Sequence, residues 1–211
     1  ELPRAVSHDW SLGELQSLVA KAARGAGRSF GMADEAGYAA RWLCGFGYDG
    51  AGALAAVLEA TDRRASEFGL SPDSLNPVGQ AICPLVLGTY LADCAMVPGS
   101  TIGPVLRPLV LAPFLAQMGA VPGPVRLQVG VGDVVEVAPG AAFGAVFDGP
   151  DFGSLRVAAV EPEFDALPVF GRARVGEGAR EVLEAFAART YAPATEESRA
   201  KGAGAGVSDQ D

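Results

Sequence analysis

The hydrophobic pattern of this 211-residue chain changes its period along the sequence, and that change limits the folds open to it. Up to about residue 70, apolar residues recur at the three- and four-residue spacing of amphipathic helices; from residue 124 they alternate with polar residues, as in half-buried strands. Helices followed by strands, rather than alternating with them, are typical of α+β proteins. We therefore predict an α+β fold in which an N-terminal three-helix unit packs on a mainly antiparallel sheet.

Capping residues mark the three N-terminal helices. Ser11 and Glu14 form a capping box at the start of a helix predicted over 11–26. A second helix is predicted over about 32–44, with Asp34 and Glu35 in its first turn, and a third over about 50–66, capped by Asp49. The segment before the first helix is expected to be frayed.

The middle of the chain leaves alternatives open. The apolar run at 81–91 fits a helix or a strand, since periodicity alone does not decide between them. Pro108 makes 105–111 an edge strand or a break, and Pro113 can open a short helix over 113–118. Strands follow from 124 to about 175, and an amphipathic helix over 177–190.

These elements predict one globular domain over 1–193. It consists of a helical part over about 8–70, a β-rich part over about 80–175 and the final helix. Residues 194–211 form a Gly-rich tail with a single Val and no other large apolar side chain, a composition typical of disordered termini.

Charge and cysteine content exclude several functions. A net charge of -9 disfavours nucleic acid and anionic membranes as partners. Cys44, Cys83 and Cys94 include no C-x-x-C pair, so we expect neither a disulfide framework nor a metal or cofactor site. No segment resembles a signal peptide or a membrane span, and we expect a soluble protein of the reducing cytoplasm.

The familiar catalytic constellations are missing from the sequence. His8 is the single histidine, and no G-x-S-x-G motif occurs. The best candidate ligand site is the glycine-rich connection at 25–31, because Arg24 and Arg28 flank it and a helix N-terminus follows. These arginines would suit a carboxylate or phosphate. The alternative is that they are solvated or paired with Asp34 and Glu35.

Two aromatic residues of the second predicted helix share one face. Tyr38 and Trp42 are four residues apart, which places both side chains on the same side. This face would pack on the β layer, or form the interface of a homodimer or a hetero-subunit.

Both ends of the chain resemble an uncharacterised bacterial family of the kind called domains of unknown function. The resemblance lies in K-A-A-R-G-A-G, E-A-G and R-W-L near the N-terminus, and in S-R-x-x-G-A-G-A-G near the C-terminus. It implies no activity. It does favour a set of residues as functionally relevant: Lys21, Arg24, Glu35, Arg41, Trp42, Arg189, Tyr191, Ser198, Arg199 and Asp209.

Two hypotheses follow. The first is a non-catalytic accessory or interaction protein, one subunit of a metabolic complex. The second is an enzyme or binding protein for a small anionic metabolite, in which Glu35 acts as general base and the Gly-rich tail closes over the site. The anion would be held by arginines chosen from Arg24, Arg28, Arg41 and Arg199.

Overall fold

The computed structural model describes residues 7–118, 123–161 and 163–191, and over these residues the fold is α+β, as predicted. The chain begins with β1 (Ser7–Ser11), α1 (Leu12–Gly25), α2 (Phe30–Gly45) and α3 (Gly50–Thr61). A 3-10 turn (Ala65–Phe68), the short strands β2 (Leu70–Ser71) and β3 (Asn76–Pro77), and α4 (Pro84–Asp93) lead to β4 (Thr101–Leu106). A second 3-10 turn (Pro108–Leu111) runs into α5 (Ala112–Ala116).

The β-rich part consists of β5 (Val125–Val129), β6 (Asp133–Ala138), β7 (Ala141–Gly144), β8 (Phe152–Ala159) and β9 (Arg172–Gly176), followed by α6 (Glu177–Ala188). Strands β4 to β8 form a five-stranded sheet in the order β4-β8-β5-β6-β7, with every neighbouring pair antiparallel. The prediction of a mainly antiparallel sheet is therefore confirmed.

The predicted helices form, with shifted ends. The capping box of Ser11 and Glu14 opens α1 as expected, and Asp49 caps α3. Helix α2 begins at Phe30, because the Ser29 side chain accepts a hydrogen bond from the Met32 N–H and caps it two residues early. As a result, its first turn holds no acidic residue, contrary to the sequence prediction.

The two segments whose structure the sequence left open are now defined: 81–91 is largely a helix, and 105–111 is the end of an edge strand followed by a break. Pro84 starts α4, so much of the 81–91 run is helical. Strand β4 lies at one end of the sheet, and the chain turns at Arg107, whose φ of 41° is in the left-handed region, before the 3-10 turn at Pro108. Pro113 lies in the first turn of α5, as expected.

The segment expected to be frayed is a strand instead. β1 pairs with β9 in an antiparallel ladder that runs from Ser7 opposite Gly176 to Ser11 opposite Arg172. His8 contacts Glu177, and the Arg180 guanidinium together with His8 lowers the pKa of that carboxyl to about 2. β9 thus belongs to this two-stranded ladder. Its alternating sequence had suggested instead that it forms part of the main sheet.

The core runs from the helices to the inner face of the five-stranded sheet. Helix α1 buries Leu15, Val19, Ala22 and Ala23 against α2 and α6. Helix α5 and the 3-10 turn before it cover the sheet face that carries Leu127, Val135 and Val157. Within the described ranges, no helix combines the length and the hydrophobicity needed to span a membrane.

A buried carboxylate fixes the chain on the outer face of the sheet. The Glu136 side chain has no exposed surface, and its Oε1 accepts hydrogen bonds from Arg126 Nε at 3.0 Å and Nη2 at 2.5 Å. The Glu163 backbone N–H donates to Glu136 Oε2 at 3.0 Å. The side-chain bonds to Glu136, and to the Glu163 carboxylate, raise the pKa of Arg126 above its ordinary value. Together with the Glu163 N–H they satisfy a buried charge that would otherwise be costly. They hold the segment that leads to β9.

Close helix packing yields a first prediction. A Cβ at Gly25 would lie 1.7 Å from the Phe186 carbonyl oxygen of α6, whereas a Cβ at Gly13, in the same helix, would meet nothing within 4 Å. We expect Gly25→Ala to lower the free energy of unfolding by about 1–3 kcal/mol through forced separation of α1 and α6. The matched change Gly13→Ala should raise it by up to about 1 kcal/mol. Urea titration of both variants measures the difference, and equal effects would contradict this packing.

Candidate functional site

The arginines predicted from the sequence lie in different surroundings. Arg24 Nη2 lies 3.4 Å from Asp34 Oδ1, and its guanidinium is 4.5 Å from the Phe30 ring centroid. Arg41 donates to Gln16 Oε1 at 3.1 Å. Gln16 and Arg24 both line a shallow cavity of about 450 Å³ between α1 and α2. The α1–α2 groove therefore gathers Arg24 and, through Gln16, Arg41.

Arg28 turns away from that groove. Its Nη2 donates to Thr61 Oγ1 at 2.5 Å, at the end of α3, and Thr61 in turn donates to the Val57 carbonyl at 2.7 Å. Arg28 Nε is buried and has no hydrogen-bond partner among the described residues. Arg199 and the Gly-rich tail at 194–211 lie outside the described residues. A ligand site shared by all these arginines stays a prediction, as does the role of the half-buried Glu35.

The predicted aromatic face is divided between core and surface. Trp42 is 7% exposed and packs against Phe46 with ring centroids 4.6 Å apart and the ring planes tilted by 49°, while Tyr38 is only half-buried. Burial, reinforced by the negative charge of Glu35, raises the pKa of Tyr38. Trp42 therefore packs inside the protein, and an interface role for the pair stays a prediction.

The turn between α2 and α3 builds a better-defined site. Gly47 takes a φ of 86° in this turn, a left-handed conformation that suits glycine. The turn directs Tyr48 inward, where its hydroxyl donates to the Ala145 carbonyl at 3.2 Å and its ring meets Phe147 edge to face at 5.8 Å. The Phe170 N–H donates to the Gly45 carbonyl at 2.7 Å. Two distant chain segments, one at Ala145 and Phe147 and the other at Phe170, thus converge on this turn.

The turn, Phe170 and strand β9 line a cavity of about 480 Å³, which we call the Tyr48 cavity. Cys44, Tyr48 and Phe170 supply its apolar lining, and Arg172 and Arg174 of β9 supply its positive charge. The two arginines are two residues apart on a strand, so they lie on one face, while Ala173 and Val175 between and beyond them are buried. Asp49 completes the lining, with its side chain accepting a hydrogen bond from the Gly52 N–H at 2.8 Å.

The lining groups keep their protons more firmly than they would in water. Burial raises the pKa of Tyr48 to about 12. Burial also raises the pKa of the Cys44 thiol, although the N–H groups of Ala51 and Gly50 at the start of α3 act in the opposite direction. At neutral pH both side chains are neutral, so the charge in this cavity comes from the arginines and from Asp49.

Arg172 and Arg174 differ in how they are held. Arg172 Nε contacts Asp9 Oδ2 at 2.6 Å, and its Nη2 donates to the Asp9 carbonyl at 3.0 Å. Arg174 lies opposite Asp9 in the β1–β9 ladder, and in the described part of the chain it makes no salt bridge. Arg172 is held by Asp9, and Arg174 makes no salt bridge among the described residues. Guanidinium donors therefore remain available at the cavity.

The sequence reasoning missed this site, although a signal was present. Arg172 and Arg174 alternate with Ala173 and Val175, which is the pattern of a strand with one charged face. The pattern does not show that this strand lies close in space to the α2–α3 turn, because the turn is more than 120 residues earlier in the chain. Across the described residues, His, Cys, Asp and Glu side chains form no group of three or more that could hold a metal ion.

Comparison with known proteins supports a relationship for the helical part of the chain. Residues 10–83 match the model of a family described as "Protein of unknown function (DUF3726)". The predicted resemblance to an uncharacterised domain family is therefore confirmed over this range, which includes α1, α2 and α3. Comparisons with curated proteins and with solved structures gave no significant match.

Tyr48 generates a prediction for the pH dependence of stability. Its ordinary pKa is 10.0 and its folded pKa is about 12. As pH rises from 10 towards 12, the unfolded chain loses this proton first, so ionisation favours unfolding. We expect the free energy of unfolding to fall over this interval by about 2–3 kcal/mol more in the wild type than in Tyr48→Phe. Denaturant titration of both proteins at several pH values tests this, and parallel pH profiles would contradict it.

Proposed function

We propose that the protein is a non-catalytic interaction protein, an accessory subunit that docks on another protein through a small apolar patch. The patch consists of Val146, Val169 and Phe170, and we call it the docking patch. The observation that carries the proposal is that the exposed side chains of Val146 and Phe170 meet over Gly47 of the α2–α3 turn, with the exposed Val169 next to Phe170 in the chain.

The members of the docking patch are exposed and close together. Val146, Val169 and Phe170 are 49%, 73% and 47% exposed. A Cβ at Gly47 would lie 3.1 Å from Phe170 Cε2 and 3.5 Å from Val146 Cγ2, so these two side chains meet above the same glycine. Single exposed apolar residues are ordinary, whereas grouped ones are typical of protein contact sites.

The border of the docking patch indicates the chemistry of its partner. Phe170 is followed by Arg172 and Arg174, and aromatic residues and arginine are the types most enriched at the centres of protein interfaces. Since this chain carries a net charge of -9, a local pair of arginines is distinctive. The partner we propose presents an apolar side chain next to an acidic one.

A binding role, rather than catalysis, agrees with the position of the single histidine. His8 contacts Glu177 between β1 and α6, and Glu177 is also bound by Arg180. This arrangement secures the N-terminal strand, so the imidazole serves a structural contact. The free thiol of Cys94, which is exposed, supports the cytoplasm as the site of this interaction, because exposed free thiols persist in reducing compartments.

A second candidate function is the binding of a small anion. The Tyr48 cavity favours it, because two arginines lie beside an apolar lining there. The α1–α2 groove offers Lys21 and Arg24 as another basic pair, but Asp34 lines the same groove and pairs with Arg24. The Tyr48 cavity is the better supported of the two.

The docking proposal is tested with a matched pair of substitutions. Phe170→Asp places a charge within the docking patch, while Val131→Asp places one on a valine that is 99% exposed in the turn between β5 and β6. We expect a partner that co-purifies with the tagged full chain to be retained by Val131→Asp and reduced at least about tenfold by Phe170→Asp, because apolar anchors dominate such contacts.

Val169→Asp is a second test of the docking patch. This side chain is 73% exposed, so the change should leave the melting temperature unaltered while weakening the same interaction. Light scattering on each protein separates self-association from binding to another chain. Equal recovery of the partner with wild type, Phe170→Asp and Val169→Asp would reject the docking patch.

A further inference from the structure

We infer that the Tyr48 cavity is a binding site for a small monocarboxylate with an apolar body, such as an aromatic or branched aliphatic acid. This site is distinct from the docking patch in its essential contacts, which come from Tyr48, Arg172 and Arg174. The inference specifies the ligand class of the second candidate function, anion binding at this cavity, and rests on that proposal; it does not depend on the docking interaction.

The cavity has the size and lining of a small-molecule site. Its volume of about 480 Å³ falls within the range of roughly 300–1,000 Å³ that such sites occupy. Tyr48 and Cys44 are 3% and 5% exposed, so they form a firm inner wall, and the Phe170 ring forms an outer wall. Sites for small ligands combine such apolar walls with a few polar groups that fix orientation.

The polar atoms of the inner wall are already engaged, which makes that wall apolar to a ligand. The Tyr48 hydroxyl donates to the Ala145 carbonyl at 3.2 Å. The Cys44 sulfur faces the N–H groups of Gly50 and Ala51. What the inner wall presents is an aromatic ring and a neutral thiol, which favour the hydrocarbon part of a ligand over its charged part.

The guanidinium groups select a carboxylate. Arg172 is positioned by Asp9, and Arg174, on the same face of β9, makes no salt bridge within the described ranges. A planar guanidinium binds a carboxylate through two parallel hydrogen bonds, a geometry that a lysine would not provide. Arg174 is therefore the residue that we expect to hold the ligand, with Arg172 as its support.

The surrounding charges favour a single negative charge on the ligand. Asp49 lines the cavity and Asp9 lies next to both arginines. With two cations offset by two nearby carboxylates, on a chain of net charge -9, a dianion such as a phosphate monoester meets more repulsion than a monocarboxylate. A monocarboxylate has one charge for Arg174 and leaves the apolar walls for its body.

The probes for this site test its carboxylate-binding part and its apolar part separately. Phenylacetate carries a ring and a carboxylate, acetate has only the carboxylate, benzyl alcohol only the ring with a neutral group, and phenyl phosphate a dianion. Calorimetry on the full chain should show saturable binding of phenylacetate, with each of the other three weaker by at least about tenfold. Equal binding of benzyl alcohol, or no saturable binding of phenylacetate at millimolar concentration, would overturn the inference.

Matched variants locate the binding. Arg174→Gln should weaken phenylacetate binding by at least about tenfold, while Arg156→Gln, which alters an exposed arginine of β8, should leave it unchanged. Both positions are exposed, so both variants should retain the wild-type melting temperature. Equal affinity in wild type and Arg174→Gln would assign the ligand to another place.

A thiol gives an independent reading of the same site. Cys44 lines the Tyr48 cavity, whereas Cys94 is an exposed cysteine outside it. Because the Cys44 thiol is 5% exposed and neutral, alkylation by iodoacetamide is run at alkaline pH until Cys44 reacts measurably in the free protein. Saturating phenylacetate should slow this alkylation, followed by mass spectrometry, and should leave the rate at Cys94 unchanged. Binding that protects neither cysteine, or both equally, would contradict this location. The docking patch is not probed by this experiment, so its failure would leave the interaction proposal to its own test.

Discussion

The pairing of β1 with β9 is the contact on which the arrangement of the site depends. It joins residues 7–11 to residues 172–176, so nearly the whole described chain lies between its two strands. Arg172 and Arg174 share a face because β9 is extended, and they lie beside Asp9 because β1 is its partner. Helix α6 follows β9 directly in the chain, so the ladder also fixes where α6 begins. From there Phe186 approaches Gly25 of α1. Without β1, the strand that carries both arginines would have no neighbour in the described structure.

A second, electrostatic constraint acts on the segment that leads to Phe170. Glu136 is fully buried, and a buried carboxylate is tolerated only when its oxygens are satisfied. Arg126 and the Glu163 N–H supply those hydrogen bonds and attach the segment after β8 to the sheet. That segment continues to Phe170, whose N–H bonds to Gly45. The outer wall of the Tyr48 cavity is thus held at one end by an ion pair and at the other by a backbone hydrogen bond.

The sequence predicted local structure better than it predicted the site, for a physical reason. Ser11 with Glu14, Asp49 and Pro113 act within one helical turn of themselves, so their effects were readable from spacing. β1 gave no such signal, because five residues stabilise a strand only through a partner 160 residues away. The sequence indicated Arg24 and Arg28, which flank 25–31, as a basic pair. In the structure the chain turns between them, so Arg28 contacts Thr61 and Arg24 contacts Asp34. Convergence of distant segments on Gly47 and Tyr48 could be found only in three dimensions.

Phe170 connects the two proposed activities, and this connection has a thermodynamic consequence. Its ring borders the Tyr48 cavity and also forms part of the docking patch. A ligand that orders the Phe170 ring reduces the conformational entropy that this ring would otherwise lose when a partner docks. Conversely, a partner that covers the ring excludes water from Arg174. Removing water strengthens the interaction between a guanidinium and a carboxylate, since the local dielectric constant falls. If each event changes the affinity of the other, linkage requires the two effects to be equal in free energy.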